Sequence, residues 1–150
     1  MSAEPWLDMT IPSILDPQLA PADAHVASIY VHCAPYRLKA GDWSTGRETL
    51  IERVMSVLER YAPGIGRLVI AAEVLTPADL ERTCGLAGGH VFHGEIAPGQ
   101  LFSMRPLIGY ARYDSPIRGL HLGGGGTHPG GFLTGASGRL AAAEIIRRQP

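Results

Sequence analysis

Apolar and polar residues alternate in several short segments of the chain, and this pattern predicts strands. Residues 25–33 alternate with a period of two, which is typical of a half-buried strand. Segment 68–75 is rich in β-branched residues and predicts a second strand. The run 7–11 lies between prolines and is long enough for a short edge strand, while 120–122 predicts a short apolar strand. Residues 88–94 are expected to be extended.

Other segments carry the start and stop signals of helices. Thr45 and Glu48 have the spacing of a capping box and predict a helix over 46–61, in which apolar residues recur at helical spacing. A proline at the first helical position predicts a short second helix, ended by Gly85. Residues 98–104 predict one or two helical turns. The closing helix runs through 140–148, with its N-terminus near residues 136–138.

Together these elements predict an α+β fold in one domain of 150 residues. The expected architecture is a small mixed sheet of four or five strands with two or three helices on it. The long helix at 46–61 is expected to cover one face of this sheet.

Composition narrows the function classes. Hydrophobic residues make up 45% and charged residues 18% of the chain, which is typical of a globular protein. The net charge of −1 gives no electrostatic reason to expect nucleic acid or an anionic membrane. No apolar run approaches the roughly 18 residues that a membrane span needs. The absence of a signal-peptide pattern and the two distant cysteines favour the cytoplasm.

Glycine is concentrated near the end of the chain, where nine of the 19 glycines lie between residues 119 and 138. The order there is strand, glycine loop, helix, so the loop leads to a helix N-terminus that suits a phosphate or an electron-rich atom of a cofactor. His128 and Pro129 break the Gly-x-Gly-x-x-Gly spacing, and no Gly-Lys-Ser/Thr follows. A flexible surface connector remains an alternative for this loop.

A set of short motifs then resembles one family, the phytoene desaturase-related FAD-dependent oxidoreductases, over their C-terminal portion. The similarity runs in order along nearly the whole chain. Its pieces are Met9-Thr-Ile-Pro-Ser13, Leu19-Ala-Pro21, Tyr61-Ala-Pro-Gly64, Leu75-Thr-Pro-Ala-Asp-Leu-Glu-Arg82, Gly88-Gly-His-Val-Phe-His-Gly-Glu95, Gln100-Leu-Phe-Ser-Met-Arg-Pro106, Ser115-Pro-Ile-Arg-Gly-Leu120 and Gly126-Thr-His-Pro-Gly-Gly131.

The resemblance implies FAD as the cofactor and divides the chain into two parts. Region 1–119 corresponds to the substrate domain, and region 120–150 to a strand-loop-helix that faces the flavin. The Rossmann unit that holds the FAD pyrophosphate is absent from these residues. The residues implied to contact the cofactor are Gly124, Gly126, Thr127, His128, Gly130, Gly131, Thr134, Gly135, Gly138 and Arg139.

Four positions depart from the family pattern. Phe132 stands where a third glycine is usual, Leu140 replaces asparagine, Ser137 replaces proline and Gly123 replaces cysteine. The first hypothesis is part of an FAD-dependent oxidoreductase that dehydrogenates or isomerises an apolar substrate, and that is incomplete alone. Its expected partner is an FAD-domain subunit or a second copy. The alternative, which Phe132 and Leu140 favour, is a cofactor-free binding or regulatory domain.

The remaining polar candidates leave their roles open. His128 either hydrogen-bonds a flavin or substrate atom, which makes it the one catalytic candidate, or only caps the loop. His90 and His93 lie three apart in a segment expected to be extended, so they point to opposite faces and predict no metal site. Arg105 either holds an anion or forms a surface ion pair. Arg139 at a helix start favours a nearby anion.

Overall fold

The computed structural model describes residues 1–131 and 133–148. The chain divides into two compact units, the first comprising Met1–Ala78 and the second beginning at Asp79. The functional division predicted between residues 119 and 120 concerns the flavin and stays a prediction.

The first unit contains one antiparallel pair of strands, β1 (Leu7–Thr10) and β2 (Ser28–Val31). The register pairs Leu7 with Val31 and Thr10 with Ser28. Both segments were predicted to be extended, and both predictions are confirmed over shorter ranges. Ser13 stabilises the segment that connects the two strands. It is buried, and its hydroxyl oxygen accepts the Val26 N–H at 3.1 Å.

Helix α1 (Trp43–Tyr61) begins earlier than predicted, and the prediction of Thr45 as its N-cap is wrong. The N-cap is Asp42, whose carboxylate accepts the backbone N–H of Ser44 at 2.8 Å. Hydrogen bonding from the side chain and backbone of Ser44 lowers the pKa of Asp42, so the cap is charged at the positive end of the helix. The Thr45 hydroxyl donates to the Asp42 carbonyl instead. The earlier start places Trp43 in the first turn, and the buried apolar side chains described for this unit are Trp43 and Leu50.

The strand predicted at 68–75 is wrong. Residues Ile65–Leu68 form a 3₁₀ turn, and the residues that follow belong to no strand. Leu68 is 77% exposed and Ile70 is 90% exposed, so the β-branched run lies on the surface. A strand needs a neighbouring strand for its backbone hydrogen bonds, and within the described residues the sheet ends at β1 and β2. The α+β class is confirmed, but the sheet has two antiparallel strands rather than four or five mixed ones.

The second unit is built from helices α2 (Pro77–Cys84, which begins two residues before the boundary) and α3 (Ala136–Arg148), joined by turns. Gly85, at φ +68°, ends α2 as predicted. Residues 98–104 form the two predicted turns, Pro98–Gln100 and Phe102–Met104. In place of the strand predicted at 120–122, the structure has a single β-bridge between His121 and Asp114.

Segment 88–94 is not extended, contrary to the prediction. Ala87–Gly89 forms a 3₁₀ turn, and His93 and Gly94 both have positive φ. The glycines of this segment permit these turns because they carry no Cβ. Among the described residues, no helix is both long and apolar enough to cross a bilayer.

Ion pairs stabilise the C-terminal end of α3. Glu144 accepts from Arg147 and Arg148, and Arg148 also bonds to Asp114. These guanidinium groups lower the pKa of Glu144 to about 2. Because this pKa is depressed, the pairing stabilises the fold above the ordinary value of 4.5 and is lost as pH falls from there towards 2.

We therefore expect Glu144→Gln to lower the urea midpoint near neutral pH by an amount that disappears in acid. The loss arises because the neutral amide cannot form ion pairs with the two arginines. Unfolding followed by circular dichroism at several pH values measures the difference between the two proteins. A difference that stays constant down to the acid limit would contradict the assignment.

Candidate functional site

The glycine loop, the start of α3 and the segment 91–93 enclose a groove of about 470 Å³ in the second unit. Small-molecule sites typically have volumes of about 300–1,000 Å³. The groove is lined by Val91, Phe92, His93, Gly123, Gly125, Gly131, Leu133, Gly135, Ser137 and Gly138. Its walls are therefore mostly backbone and apolar side chains.

One end of the groove is the N-terminus of α3, at the predicted position. Gly135 turns the chain with φ +70°, and the Thr134 hydroxyl accepts the N–H of Ala136 at 3.2 Å. Ser137 and Gly138 lie in the first turn and line the groove. The first N–H groups of a helix have no partner within it, and they form the positive end of the helix dipole. This end of the groove therefore favours electron-rich or negatively charged atoms.

Thr127 stabilises the loop from within. It is only 4% exposed, and its hydroxyl donates to the Gly124 carbonyl at 2.8 Å. Its own N–H donates to the same carbonyl at 3.0 Å. The side chain of Thr127 is thus committed to the loop, and it does not line the groove.

Glycine allows close approach at two places along the groove. A Cβ on Gly125 would lie 3.1 Å from Cδ2 of His93 and 3.2 Å from the Gly131 carbonyl. A Cβ on Gly123 would lie 3.2 Å from Cβ of the buried Ala141. A side chain at position 123 would therefore be tightly packed against α3.

His128 makes contacts through both its backbone and its ring, which lies 6.1 Å from the ring of Phe102 between centroids. Its carbonyl accepts the Tyr113 hydroxyl at 3.0 Å. Burial raises the pKa of Tyr113, which keeps the phenol protonated as the donor. The Nδ1 atom of His128 is buried without a hydrogen-bond partner in the described part of the chain. His128 does not line the groove, and both of its predicted roles, towards a flavin or substrate and as a cap of the loop, stay predictions.

The ten predicted cofactor residues thus separate into two groups. Gly131, Gly135 and Gly138 line the groove. The other seven belong to the loop or the helix start without lining it: Gly124, Gly126, Thr127, His128, Gly130, Thr134 and Arg139. Phe132, which favoured the cofactor-free alternative, lies outside the described residues, and the role of each residue towards FAD stays a prediction.

Sequence reasoning missed the opposite wall, formed by Val91, Phe92 and His93. The signal was present, because these residues lie inside the family-like motif Gly88–Glu95. His90 and His93 were weighed as metal ligands and as polar residues near a cofactor or an interface, and the second interpretation was favoured. Within the described residues, no three His, Cys, Asp or Glu side chains come together to hold a metal ion.

Behind the groove lies Arg105, for which a surface ion pair was one expectation. That expectation is wrong, because the residue is only 1% exposed. Its Nη2 donates to the carbonyls of Phe92 at 2.9 Å and Gly125 at 3.1 Å, which belong to opposite walls. Longer bonds of 3.4 Å reach the carbonyls of His93 and Glu95.

Known relatives confirm the predicted resemblance to phytoene desaturase-related oxidoreductases over their C-terminal portion. Pyridine nucleotide-disulfide oxidoreductase domain-containing protein 2 of Rattus norvegicus is 43% identical over 148 residues, which are 97% of this chain and 26% of the relative. Phytoene desaturase (lycopene-forming) of Pseudescherichia vulneris is 34% identical over 146 residues, or 90% and 27% of the two chains.

All-trans-zeta-carotene desaturase of Myxococcus xanthus is 29% identical over 140 residues, which are 92% of this chain and 26% of the relative. The chain therefore spans about a quarter of the length of the curated relatives it matches. No family model and no solved structure matches the chain.

Proposed function

We propose that this chain is the substrate-domain and flavin-facing part of an FAD-dependent oxidoreductase. The observation that carries the proposal is the groove that ends at the N-terminus of α3. Glycine walls suit the close approach of a flat ring, because they present backbone without side chains. The residues present therefore fit a flavin ring in the groove.

The chain's own residues would bind and orient the ring. The start of α3, at Ser137 and Gly138, would face the ring's pyrimidine edge and stabilise negative charge there. Val91, Phe92 and Leu133 would exclude water and present apolar surface to the substrate. FAD supplies the hydride chemistry when bound. The proposed reaction is the dehydrogenation or isomerisation of an apolar substrate.

The pyrophosphate of FAD would be held by a unit that these residues do not contain. No Gly-x-Gly-x-x-Gly fingerprint followed by a helix occurs in the 150 residues. We propose an FAD-binding unit as the partner, whether on the same polypeptide or on another, with a homo-oligomer as the alternative. The cytoplasmic location remains a proposal as well.

The test is an FAD titration of the purified chain, followed by flavin fluorescence and absorbance. We expect saturable binding in about the micromolar range. Gly138→Phe should weaken it by about tenfold or more, since it fills the groove from the first turn of α3. Gly99→Phe is the matched control, because a Cβ there meets nothing within 4 Å, and Gly99 neither lines the groove nor belongs to the predicted cofactor residues.

Each outcome separates the two hypotheses. Binding that Gly138→Phe weakens and Gly99→Phe leaves unchanged supports the flavin-facing role. Failure of a demonstrably folded chain to bind FAD would contradict flavin binding by this chain alone and favour the cofactor-free domain. Equal weakening by both variants would show that the flavin sits elsewhere than in the groove.

A further inference from the structure

Arg105 is one of the least exposed residues of the second unit and lies at the crossing of two segments that are distant in sequence. It is 1% exposed, and its guanidinium group donates to four backbone carbonyls, those of Phe92, His93, Glu95 and Gly125. Three of these carbonyls belong to segment 92–95 and the fourth to the glycine loop. Arg105 therefore joins the two walls of the groove from behind.

The charge of this guanidinium has no carboxylate partner within the described residues. Every acceptor found for it is a neutral backbone carbonyl, and its Nε lacks any hydrogen-bond partner there. Arginine stays protonated in proteins, so the group remains a full positive charge. Burying a charge without a counter-ion is costly, and neutral dipoles reduce this cost without cancelling the charge.

The position of the Arg105 charge affects which occupant the groove favours. Three residues line the groove and also accept hydrogen bonds from Arg105 through their backbone carbonyls: Phe92, His93 and Gly125. The guanidinium charge therefore lies one peptide unit behind the groove wall. The start of α3 adds positive potential at the end of the groove. Glu95, whose carbonyl accepts from Arg105, has an exposed side chain, and solvent screens its charge.

We propose that Arg105 is a positioning residue that clamps segment 92–95 onto the glycine loop, and that its fixed charge makes the groove favour an anionic occupant. For a flavin, that occupant is the reduced ring with a negative charge at N1. The identity of the occupant rests on the proposed function, whereas the clamp does not.

The clamp is tested without any ligand, by amide hydrogen exchange in peptides that cover 92–95 and 123–131. Arg105→Met should raise the exchange rates of both segments by about tenfold, since it removes the guanidinium bonds that join them. Arg105→Lys should give a smaller rise, because an ammonium has fewer and shorter-reaching donors. Arg112→Met is the control, as Arg112 is exposed. Unchanged exchange in Arg105→Met would overturn the clamp.

The charge is tested with sulfite on the FAD-loaded chain. The sulfur of sulfite donates its electron pair to flavin N5, a covalent bond forms, and the ring takes up negative charge at N1. Bleaching of the visible flavin absorbance measures this equilibrium. Arg105→Met should weaken sulfite binding by about tenfold or more, whereas Arg105→Lys, which retains the charge, should stay within about threefold of the parent.

The outcomes distinguish this inference from the proposed function. FAD binding with a sulfite affinity that Arg105→Met leaves unchanged overturns the charge preference alone. A chain that binds no FAD overturns flavin binding by this chain alone and the charge preference with it, and hydrogen exchange still decides the clamp. If Arg105→Met does not fold, Arg105→Lys carries both tests: faster exchange with retained sulfite binding is required, and any other combination overturns the inference.

Discussion

Gly130→Val is expected to destabilise the second unit by about 3 kcal/mol or more. Gly130 has φ +85°, where a β-branched residue is strained by about 1–2 kcal/mol. A Cβ would also lie 2.6 Å from Nε and 3.0 Å from Cδ of Arg105. That side chain cannot easily move aside, because it is 1% exposed and bonded to four carbonyls. Urea unfolding followed by circular dichroism measures the loss.

The matched control for this prediction lies in the same loop. A Cβ on Gly124 meets no atom within 4 Å, and Gly124 has no positive φ. Gly124→Ala should therefore change the free energy of unfolding by no more than about 0.5 kcal/mol. If both variants lost the same stability, the cause would be the general flexibility of the loop and not the contact between Gly130 and Arg105.

The sequence indicated that this loop needs glycine, but it did not indicate why at each position. Gly130 was predicted to make room for a flavin, and in the structure the atom that fills its Cβ position belongs to Arg105. Glycine spacing reports only that a Cβ is excluded. Whether a ligand or another part of the chain excludes it depends on contacts between residues 25 positions apart, which no local pattern encodes.

The strands show the same limit. Both β1 and β2 could be predicted from their local patterns, because in a two-stranded sheet each strand finds its hydrogen-bond partners in the other. The β-branched run at 68–75 carries an equally strong local preference and forms no strand. Strand propensity measures how well side chains fit a sheet surface, so it cannot supply the neighbouring strand.

One side of the groove could be predicted from the sequence, and the opposite side could not. The strand-loop-helix pattern placed the helix N-terminus near Ala136, where the structure has it, since Gly135 and Ala136 carry the local signals for it. The facing wall at 91–93 was not found, because segment 88–94 was expected to be extended. Positive φ at His93 and Gly94 folds this segment back, and such values at a non-glycine residue have no clear sequence signal.

The start of α1 shows how one capping choice changes the predicted core. The capping-box spacing of Thr45 and Glu48 predicted a start at Thr45. A start at Thr45 leaves Trp43 outside the helix, on a connecting segment. The observed cap at Asp42 adds Trp43 to the first turn, where its side chain is 7% exposed and its Nε1 donates to the Tyr36 carbonyl at 3.1 Å.

Trp43→Ala is therefore expected to destabilise the first unit by about 3–5 kcal/mol, because it removes the largest apolar side chain of a small core and leaves a cavity. Trp43→Phe retains most of the buried area and loses the hydrogen bond to Tyr36, so it should cost less, about 1–2 kcal/mol. Trp6→Ala is the control, since Trp6 is 75% exposed. Urea unfolding followed by far-ultraviolet circular dichroism avoids relying on tryptophan fluorescence. A loss for Trp43→Ala no larger than that for Trp6→Ala would mean that the helix begins near Thr45 after all.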